Sequence, residues 1–278
     1  MRVVQTVADV RKIHRELSGT WGLVPTMGFL HRGHISLVER ARAQNEYVGV
    51  SIFVNPTQFS PTEDLAAYPR DLDHDLALLE QAGADLVWVP PAEEVYPPGF
   101  QTYVTVEEVT RPLEGAARPT HFQGVVTVVA KLFNVFQPDR AYFGQKDAQQ
   151  VAVVKRMAQD LNFGLEIVVC PTAREADGLA LSSRNTYLTP EQRAAAPVLY
   201  RALCTARDAW QAGEHDGEHL RQAMRGVLAA EPLAQIDYVS AADPATLDEL
   251  DDASRGVLLS MAVRIGRARL IDNMILGV

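Results

Sequence analysis

Cysteine and lysine are scarce in this chain of 278 residues. Its two cysteines, Cys170 and Cys204, allow at most one disulfide, which excludes a small secreted scaffold held together by several bridges. The chain has 35 acidic residues and 26 basic residues, so its formal net charge is −9. Only four of the basic residues are lysines. No block of five or more like charges is present, and we therefore expect no nucleic-acid partner and no anionic membrane surface as partner.

Long apolar runs are also missing. The most apolar stretch, Val125–Phe136, is short and contains Lys131, and residues 1–17 carry a charge every few positions. We therefore expect neither a membrane span nor an export signal, and with free thiols this predicts a cytoplasmic protein. The signatures GxxxxGK[ST] and GxGxxG are absent as well, which disfavours P-loop hydrolases and dinucleotide-binding proteins of the GxGxxG type.

Short apolar segments alternate with helical patterns between residues 21 and 170, which is typical of a parallel α/β sheet. The predicted strands are Trp21–Pro25, Tyr47–Val54, Asp85–Val89, Arg140–Phe143 and Leu165–Cys170. The predicted helices carry apolar stripes over Ile35–Ala41, Leu72–Ala82, Val125–Phe136 and Ala148–Leu161.

The pattern changes after Arg174. Two predicted helices precede three predicted strands there: Pro190–Ala212, Gly217–Ala230, Ile236–Ser240, Gly256–Ile265 and Ala268–Ile275. We therefore predict a Rossmann-like α/β nucleotide-binding domain over residues 1–173 and a smaller α+β domain over residues 174–278, with the second domain acting as a lid.

Polar loops follow the predicted strands, where parallel α/β sheets bind their ligands. In the first loop, His31 and His34 lie at the start of a helix, and Gly28 and Gly33 allow close approach of the backbone. Two imidazoles at a helix N-terminus favour phosphate oxygens. Capping of the helix and metal binding are the alternative explanations.

Two later loops add basic side chains. Lys146, in the segment GQKD, is either an anion ligand or a solvated surface lysine, and Asp147 is expected to cap the next helix. Considered alone, Ser182–Arg184 is an ordinary hydrophilic loop. Considered together with the histidines and the lysine, it indicates a polyphosphate site.

Six motifs, in this order, resemble those of one known family. They are PTMGFLHRGH from Pro25, FVNPTQF from Phe53, YPR from Tyr68, RPTHFQGVVTVVAKLF from Arg118, PDRAYFGQKDAQQ from Pro138 and PTAREADGLALSSRN from Pro171. The first is similar to the HIGH signature of nucleotidyltransferases, and LSSR at Leu181–Arg184 is similar to their KMSKS loop. With RLIDNM at Arg269–Met274, the set resembles the pantothenate synthetase (pantoate–β-alanine ligase) family over nearly the whole chain.

This resemblance implies an enzyme that condenses (R)-pantoate with β-alanine through a pantoyl-adenylate and releases AMP and pyrophosphate. It implies ATP and Mg²⁺ as cofactors, small molecules as substrates, and a homodimer. Two alternatives stay open: another nucleotidyltransferase of the same fold, which would not depend on an amine, and a non-catalytic nucleotide-binding protein, which would release no pyrophosphate.

The resemblance also assigns residues. The expected ATP ligands are Pro25, Thr26, Met27, Gly28, His31, Gly33, His34, Gly144, Gln145, Lys146, Asp147, Ala173, Leu181, Ser182, Ser183 and Arg184. The expected substrate ligands are Asn55, Gln58, Arg118 and Gln150, and the expected metal ligand is Asp75. The expected catalytic residues are His34 as proton donor, His31, Lys146 and Arg184. Three positions depart from the family pattern: Gln145, commonly Glu; His74, commonly acidic; and Ala173, commonly Val.

Overall fold

A computed structural model describes residues 1–59, 65 and 68–277. The chain forms two compact units, Met1–Gly144 with Val153–Pro171 and Gln145–Ala152 with Thr172–Val278. The prediction of one boundary after residue 173 did not anticipate that Gln145–Ala152 groups with the second unit.

The first part of the chain alternates strands and helices. Its elements are β1 (Arg2–Val4), α1 (Val7–Glu16), β2 (Trp21–Thr26), α2 (Arg32–Gln44), β3 (Tyr47–Ile52), α3 (Leu72–Gln81), β4 (Leu86–Trp88), α4 (Ala92–Val95), α5 (Glu114–Ala117), α6 (His121–Phe136), β5 (Arg140–Gly144), α7 (Ala148–Asp160) and β6 (Glu166–Cys170).

The six strands form one parallel sheet in the order β1-β4-β3-β2-β5-β6. The prediction of a Rossmann-like parallel sheet is therefore confirmed. Helical crossovers connect the strands, and the strand order reverses between β2 and β5. In sheets of this class, ligands bind beside such a reversal, at the carboxyl ends of the strands.

Burial explains why the predicted strands read as continuous apolar runs. Val24, Val50 and Val87, on three neighbouring strands, are each fully buried, as expected where helices cover both faces of a parallel sheet. Gly49 faces the ring of Phe136, and a Cβ on this glycine would lie 2.6 Å from the ring, so the close packing of α6 on the sheet requires glycine there.

Several predicted strand boundaries differ from the structure by one or two residues, and one strand is not predicted at all. β3 ends at Ile52 rather than at Val54, because the chain turns toward a 3₁₀ turn at Pro56–Gln58 that Asn55 caps. The sequence does not predict β1, since a strand of three residues is too short to show a hydrophobic period.

The second unit continues with helices and then strands. Its elements after residue 171 are α8 (Pro190–Ala195), α9 (Val198–Gln211), α10 (Gly217–Ala229), β7 (Ala234–Ala242), β8 (Val257–Ile265) and β9 (Ala268–Leu276). The strands form an antiparallel sheet in the order β7-β8-β9. Leu203, Leu220 and Met261 belong to the apolar core that α9 and α10 build on this sheet, and the predicted α+β character is confirmed.

The prediction of one helix over Pro190–Ala212 is wrong. α8 ends at Ala195 and α9 starts at Val198, with Pro197 between them. Proline has no N–H to donate, and its ring clashes with the carbonyl four residues earlier, so the helix is interrupted at this point.

Both cysteines are free thiols, with Cys170 buried and Cys204 partly buried. Within residues 1–59 and 68–277, no helix combines the length and the apolar character that a membrane crossing requires.

Gly124→Ala is expected to destabilise the protein. A Cβ at Gly124, on α6, would lie 2.5 Å from Thr57 O and 2.6 Å from Gln58 N, which is backbone that cannot swing aside. Overpacking of this kind costs about 1–3 kcal/mol, more than the roughly 1 kcal/mol that alanine contributes over glycine in a helix. The urea midpoint of unfolding measures the difference.

Gly164→Ala is the matched control, because a Cβ at Gly164 would meet no atom within 4 Å. Its midpoint should equal or exceed that of the unaltered protein. An unchanged midpoint for Gly124→Ala would show that the contact between α6 and the 3₁₀ turn is looser than described.

Candidate functional site

The loop after β2 ends in two histidines that cap α2. His31 is the N-cap residue, and its Nδ1 accepts a hydrogen bond from Gly33 N at 3.1 Å. His34 Nδ1 accepts a hydrogen bond from His31 N at 3.3 Å, and the two ring centroids are 4.1 Å apart. The capping explanation is therefore confirmed, while phosphate binding at the same residues stays a prediction.

Capping also fixes the tautomer of both rings. Because each Nδ1 accepts from a backbone N–H group, a neutral ring carries its proton on Nε2. An Nε2–H group is a hydrogen-bond donor, and the first turn of α2 contains no acidic residue. The N-terminus of α2 therefore combines two imidazole donors with the positive end of a helix dipole, which suits an anion.

Asp75, on α3, holds the backbone of this same loop. Its Oδ2 accepts from Phe29 N at 2.8 Å and its Oδ1 accepts from Leu30 N at 2.6 Å. Gly28 and Phe29 adopt left-handed conformations, with φ of 81° and 53°, where the loop turns toward this carboxylate. Asp75 is only 1% exposed. Burial raises the pKa of its carboxyl group, whereas the two backbone hydrogen bonds lower this pKa.

Asp75 supports the backbone of the loop, and its expected role as a metal ligand stays a prediction. Both of its oxygens already accept backbone hydrogen bonds. Moreover, no three His, Cys, Asp or Glu side chains come together to hold a metal ion in the part of the chain that the structure describes. Mg²⁺ bound with a nucleotide is held largely by phosphate oxygens and water, and it needs no metal site built by the protein alone.

Asn55 supports the 3₁₀ turn that carries Gln58. Asn55 is 1% exposed, and its Nδ2 donates to Gln58 Oε1 at 3.1 Å and to Gly124 O at 3.0 Å. Its Oδ1 accepts from Thr57 Oγ1 and from Tyr96 OH, each at 2.9 Å. Since every hydrogen-bonding position of this amide is engaged, the geometry favours a positioning role over the expected substrate contact.

The side-chain NH₂ group of Gln58 could donate a hydrogen bond to a ligand. Its Nε2 donates to Met27 Sδ at 3.0 Å, and a thioether is a weak acceptor that a ligand oxygen readily replaces. The backbone oxygen of Gln58 accepts from Arg118 Nη2 at 3.3 Å and lies 2.9 Å from His121 Nδ1. Arg118 therefore lies beside this turn, where its charge suits a carboxylate.

A pocket in the second unit gathers basic residues from separate segments. Lys146, Ser182, Arg184 and Arg269 line one pocket, together with the carboxylate of Asp272. The Lys146 side chain is only 17% exposed, so it is not the solvated surface lysine of the alternative explanation. Arg269 is paired with Asp237 at 2.7 Å, so Lys146 and Arg184 are the cations of this pocket that suit an anionic ligand, although the whole chain is acidic.

Ser182 organises the turn that carries Arg184. Its Oγ accepts from Arg184 N at 3.3 Å and caps the 3₁₀ turn Ser183–Tyr187. Just before it, Leu181 N donates to Ala173 O at 2.9 Å, so two expected ATP residues are paired through their backbones.

The expected residues fall into two sets. His31, His34, Gln58 and Arg118 belong to the first unit, whereas Lys146, Gln150 and Ser182–Arg184 belong to the second. Pro25, Thr26 and Gly144 lie at the carboxyl ends of β2 and β5, and Met27, Gln145 and Asp147 lie in the turns that follow. Sequence reasoning assigned no role to His121, Arg269 or Asn273, although the motifs RPTHF and RLIDNM contain them.

The parallel sheet, with polar loops at its strand reversal, defines a Rossmann-like fold of the nucleotide-binding class. The sequence model of the family "Pantoate-beta-alanine ligase" matches residues 2–275. The chain belongs to the pantoate–β-alanine ligase family.

Relatives match over their full length. Pantothenate synthetase of Herpetosiphon aurantiacus is 61% identical over 277 residues, covering 99% of this chain and 100% of the relative. The crystal structure of pantothenate synthetase from Thermus thermophilus is 52% identical, with a TM-score of 0.94 over 99% of both chains. A pantoate–β-alanine ligase from Francisella tularensis is 34% identical, with a TM-score of 0.80 over 99% of this chain and 97% of that chain.

Asp75→Asn is expected to destabilise the first unit. Two backbone N–H groups point at this side chain, and an amide offers only one acceptor atom. One buried donor is then left without a partner, which costs about 1–3 kcal/mol. The free energy of urea unfolding measures this loss.

Asp73→Asn is the control, since Asp73 is an exposed acid on the same helix. It should change the free energy of unfolding by no more than about 0.5 kcal/mol. Equal effects of the two substitutions would contradict the role of Asp75 in holding the histidine loop.

Proposed function

We propose that this protein joins (R)-pantoate to β-alanine using ATP, with pantothenate, AMP and pyrophosphate as products and a pantoyl-adenylate as intermediate. The observation that carries the proposal is that Lys146, Ser182 and Arg184, from two separate segments, line one cationic pocket. Family membership over the whole chain supports the reaction. The Francisella tularensis ligase was crystallised in complex with beta-gamma ATP and β-alanine, which supports two of the three substrates.

The first step needs no base on the enzyme. A carboxyl group with a pKa of about 4 is already ionised at neutral pH. One carboxylate oxygen of pantoate attacks the α-phosphorus, a C–O–P linkage forms, and the bond between the α-phosphorus and the bridging oxygen breaks as pyrophosphate leaves. What this step requires from the protein is alignment and compensation of negative charge.

The two donor sets suit this requirement. Lys146 and Arg184 would compensate the charge that grows on the leaving pyrophosphate. The Nε2–H groups of His31 and His34, at the N-terminus of α2, would donate to further phosphate oxygens. On this assignment His34 acts mainly as a hydrogen-bond donor in adenylation.

Pantoate would bind at the turn that carries Gln58. The Gln58 amide, resting on a thioether sulfur, is free to turn to a hydroxyl or carboxylate oxygen of the ligand. Arg118 beside it would attract a carboxylate. Gln150, which is half-buried on the first turn of α7, would be a further pantoate ligand.

In the second step, the amine of β-alanine attacks the carbonyl carbon of the adenylate. A C–N bond forms, the C–O bond to AMP breaks, and the nitrogen loses a proton. Water would hydrolyse the same mixed anhydride, so the site has to exclude it. We propose that the C-terminal part of the chain acts as the lid that does so.

Three further assignments belong to this proposal. Mg²⁺ would accompany ATP, bound through phosphate oxygens. The enzyme would act in the cytoplasm as a homodimer, in line with the family resemblance. Its partners would be its small-molecule substrates.

Lys146→Ala is expected to lower pantoate-dependent ATP–pyrophosphate exchange about 10- to 100-fold. The triphosphate loses a charged partner, and a hydrogen bond to a charged group contributes about 1.5–3 kcal/mol. Lys155→Ala, an exposed lysine on α7, is the control and should exchange like the unaltered enzyme. Exchange within about twofold of that enzyme for Lys146→Ala would contradict its place in the ATP site.

Pantoate labelled with ¹⁸O in its carboxylate tests the reaction itself. If the carboxylate attacks the α-phosphorus, AMP retains one labelled oxygen and pyrophosphate retains none, as mass spectrometry would detect. ADP with labelled inorganic phosphate would contradict the adenylate. Multiple turnover that does not depend on β-alanine would favour another nucleotidyltransferase, and ATP binding without pyrophosphate release would favour a non-catalytic protein.

A further inference from the structure

The motif RLIDNM contains two consecutive buried polar residues for which the reaction above has no use. Asp272 is 2% exposed and Asn273 is 4% exposed, and both lie within β9. Neighbouring residues in a strand point to opposite faces. Burying a carboxylate and an amide on the two faces of one strand is unfavourable unless both are hydrogen-bonded, so each side chain needs partners of its own.

Asn273 finds its partners in the turn that carries Lys146. Its Nδ2 donates to Gln145 O at 3.0 Å and to Lys146 O at 2.8 Å. Its Oδ1 accepts from Gln145 Nε2 at 2.9 Å. The amide thus fixes two successive carbonyl groups, and with them the backbone from which the Lys146 side chain projects into the pocket.

Asp272 finds its partner in the segment that leads to Ser182–Arg184. Both of its oxygens accept from Arg174, with Nη1 to Oδ2 at 2.6 Å and Nη2 to Oδ1 at 2.9 Å. Arg174 also donates to Gly178 O at 3.0 Å, and its guanidinium lies 4.4 Å from the centroid of the Tyr200 ring. Through Arg174, Asp272 is therefore connected to both sides of the loop between Arg174 and Ser182.

We propose that Asp272 and Asn273 are a positioning pair that sets Lys146 and Arg184 at the distance a single triphosphate requires. The inference rests on the proposed function of the pocket. Asn273 acts through the backbone of Lys146. Asp272 itself lines the pocket, but both of its oxygens accept from Arg174, so it acts through that guanidinium and not on ATP. One dipeptide of β9 thereby links the two segments that supply the cations.

A double-mutant cycle between Asn273 and Lys146 tests this link. Asn273→Ala is expected to lower kcat/KM for ATP in the exchange reaction about tenfold, while in the Lys146→Ala background it should change the rate less than about twofold. A merely structural role would lower both backgrounds by the same factor. Asn134→Ala, at an exposed asparagine of α6, is the control and should leave the exchange unchanged.

Asn273→Ser keeps one donor and serves the same cycle should Asn273→Ala fail to fold, with an intermediate loss expected. Equal factors in the two backgrounds, or a rate for Asn273→Ala equal to that of the unaltered enzyme, would overturn the inference and leave the proposed function standing. Absence of pantoate-dependent exchange in the unaltered enzyme would instead overturn the proposed function, and the inference with it.

Discussion

Buried side chains that satisfy the backbone of the ligand-binding loops are the interaction on which this structure depends. Loops at the ends of parallel strands leave the sheet and lose its hydrogen bonds, so their N–H and C=O groups need other partners. Asp75 supplies acceptors to the histidine loop, Asn55 supplies both donors and acceptors around the Gln58 turn, and Asn273 supplies donors to the Lys146 turn. Asp75 and Asn273 come from distant parts of the chain, whereas Asn55 belongs to its own turn and ties that turn to Gly124 and Tyr96.

The side chains that support the loops are different from those that we propose to bind the ligands. The supporting side chains are buried and fully engaged, whereas Gln58 and Lys146 are only partly buried. A group whose surroundings are already fixed needs little reorganisation when a ligand arrives, which is how electrostatic stabilisation becomes effective in catalysis. It also explains how a chain with a net charge of −9 presents a cationic pocket, because charge is concentrated locally by folding and is not a property of the composition.

Much of the fold follows from patterns of apolar residues. Continuous apolar runs predict five strands of the parallel sheet, since burial on both faces leaves no polar positions in them. β1 is not predicted, because three residues are too few to show a hydrophobic period. The break at Pro197 is not predicted either, because the apolar stripe continues on both sides of the proline. The grouping of Gln145–Ala152 with the second unit has no signal in composition at all.

The sequence by itself determined the chemical groups of the site and the family: histidines at a helix start, a lysine after a strand, and a serine–arginine turn, each in a recognisable motif. Only the tertiary structure shows which groups the acidic and amide side chains contact. The sequence suggested Asp75 as a metal ligand and Asn55 as a substrate ligand. In the structure both oxygens of Asp75 accept backbone hydrogen bonds, and every hydrogen-bonding position of Asn55 is engaged. The reason is physical: a polar side chain binds whatever donor or acceptor folding places beside it, and those partners lie tens of residues away in sequence.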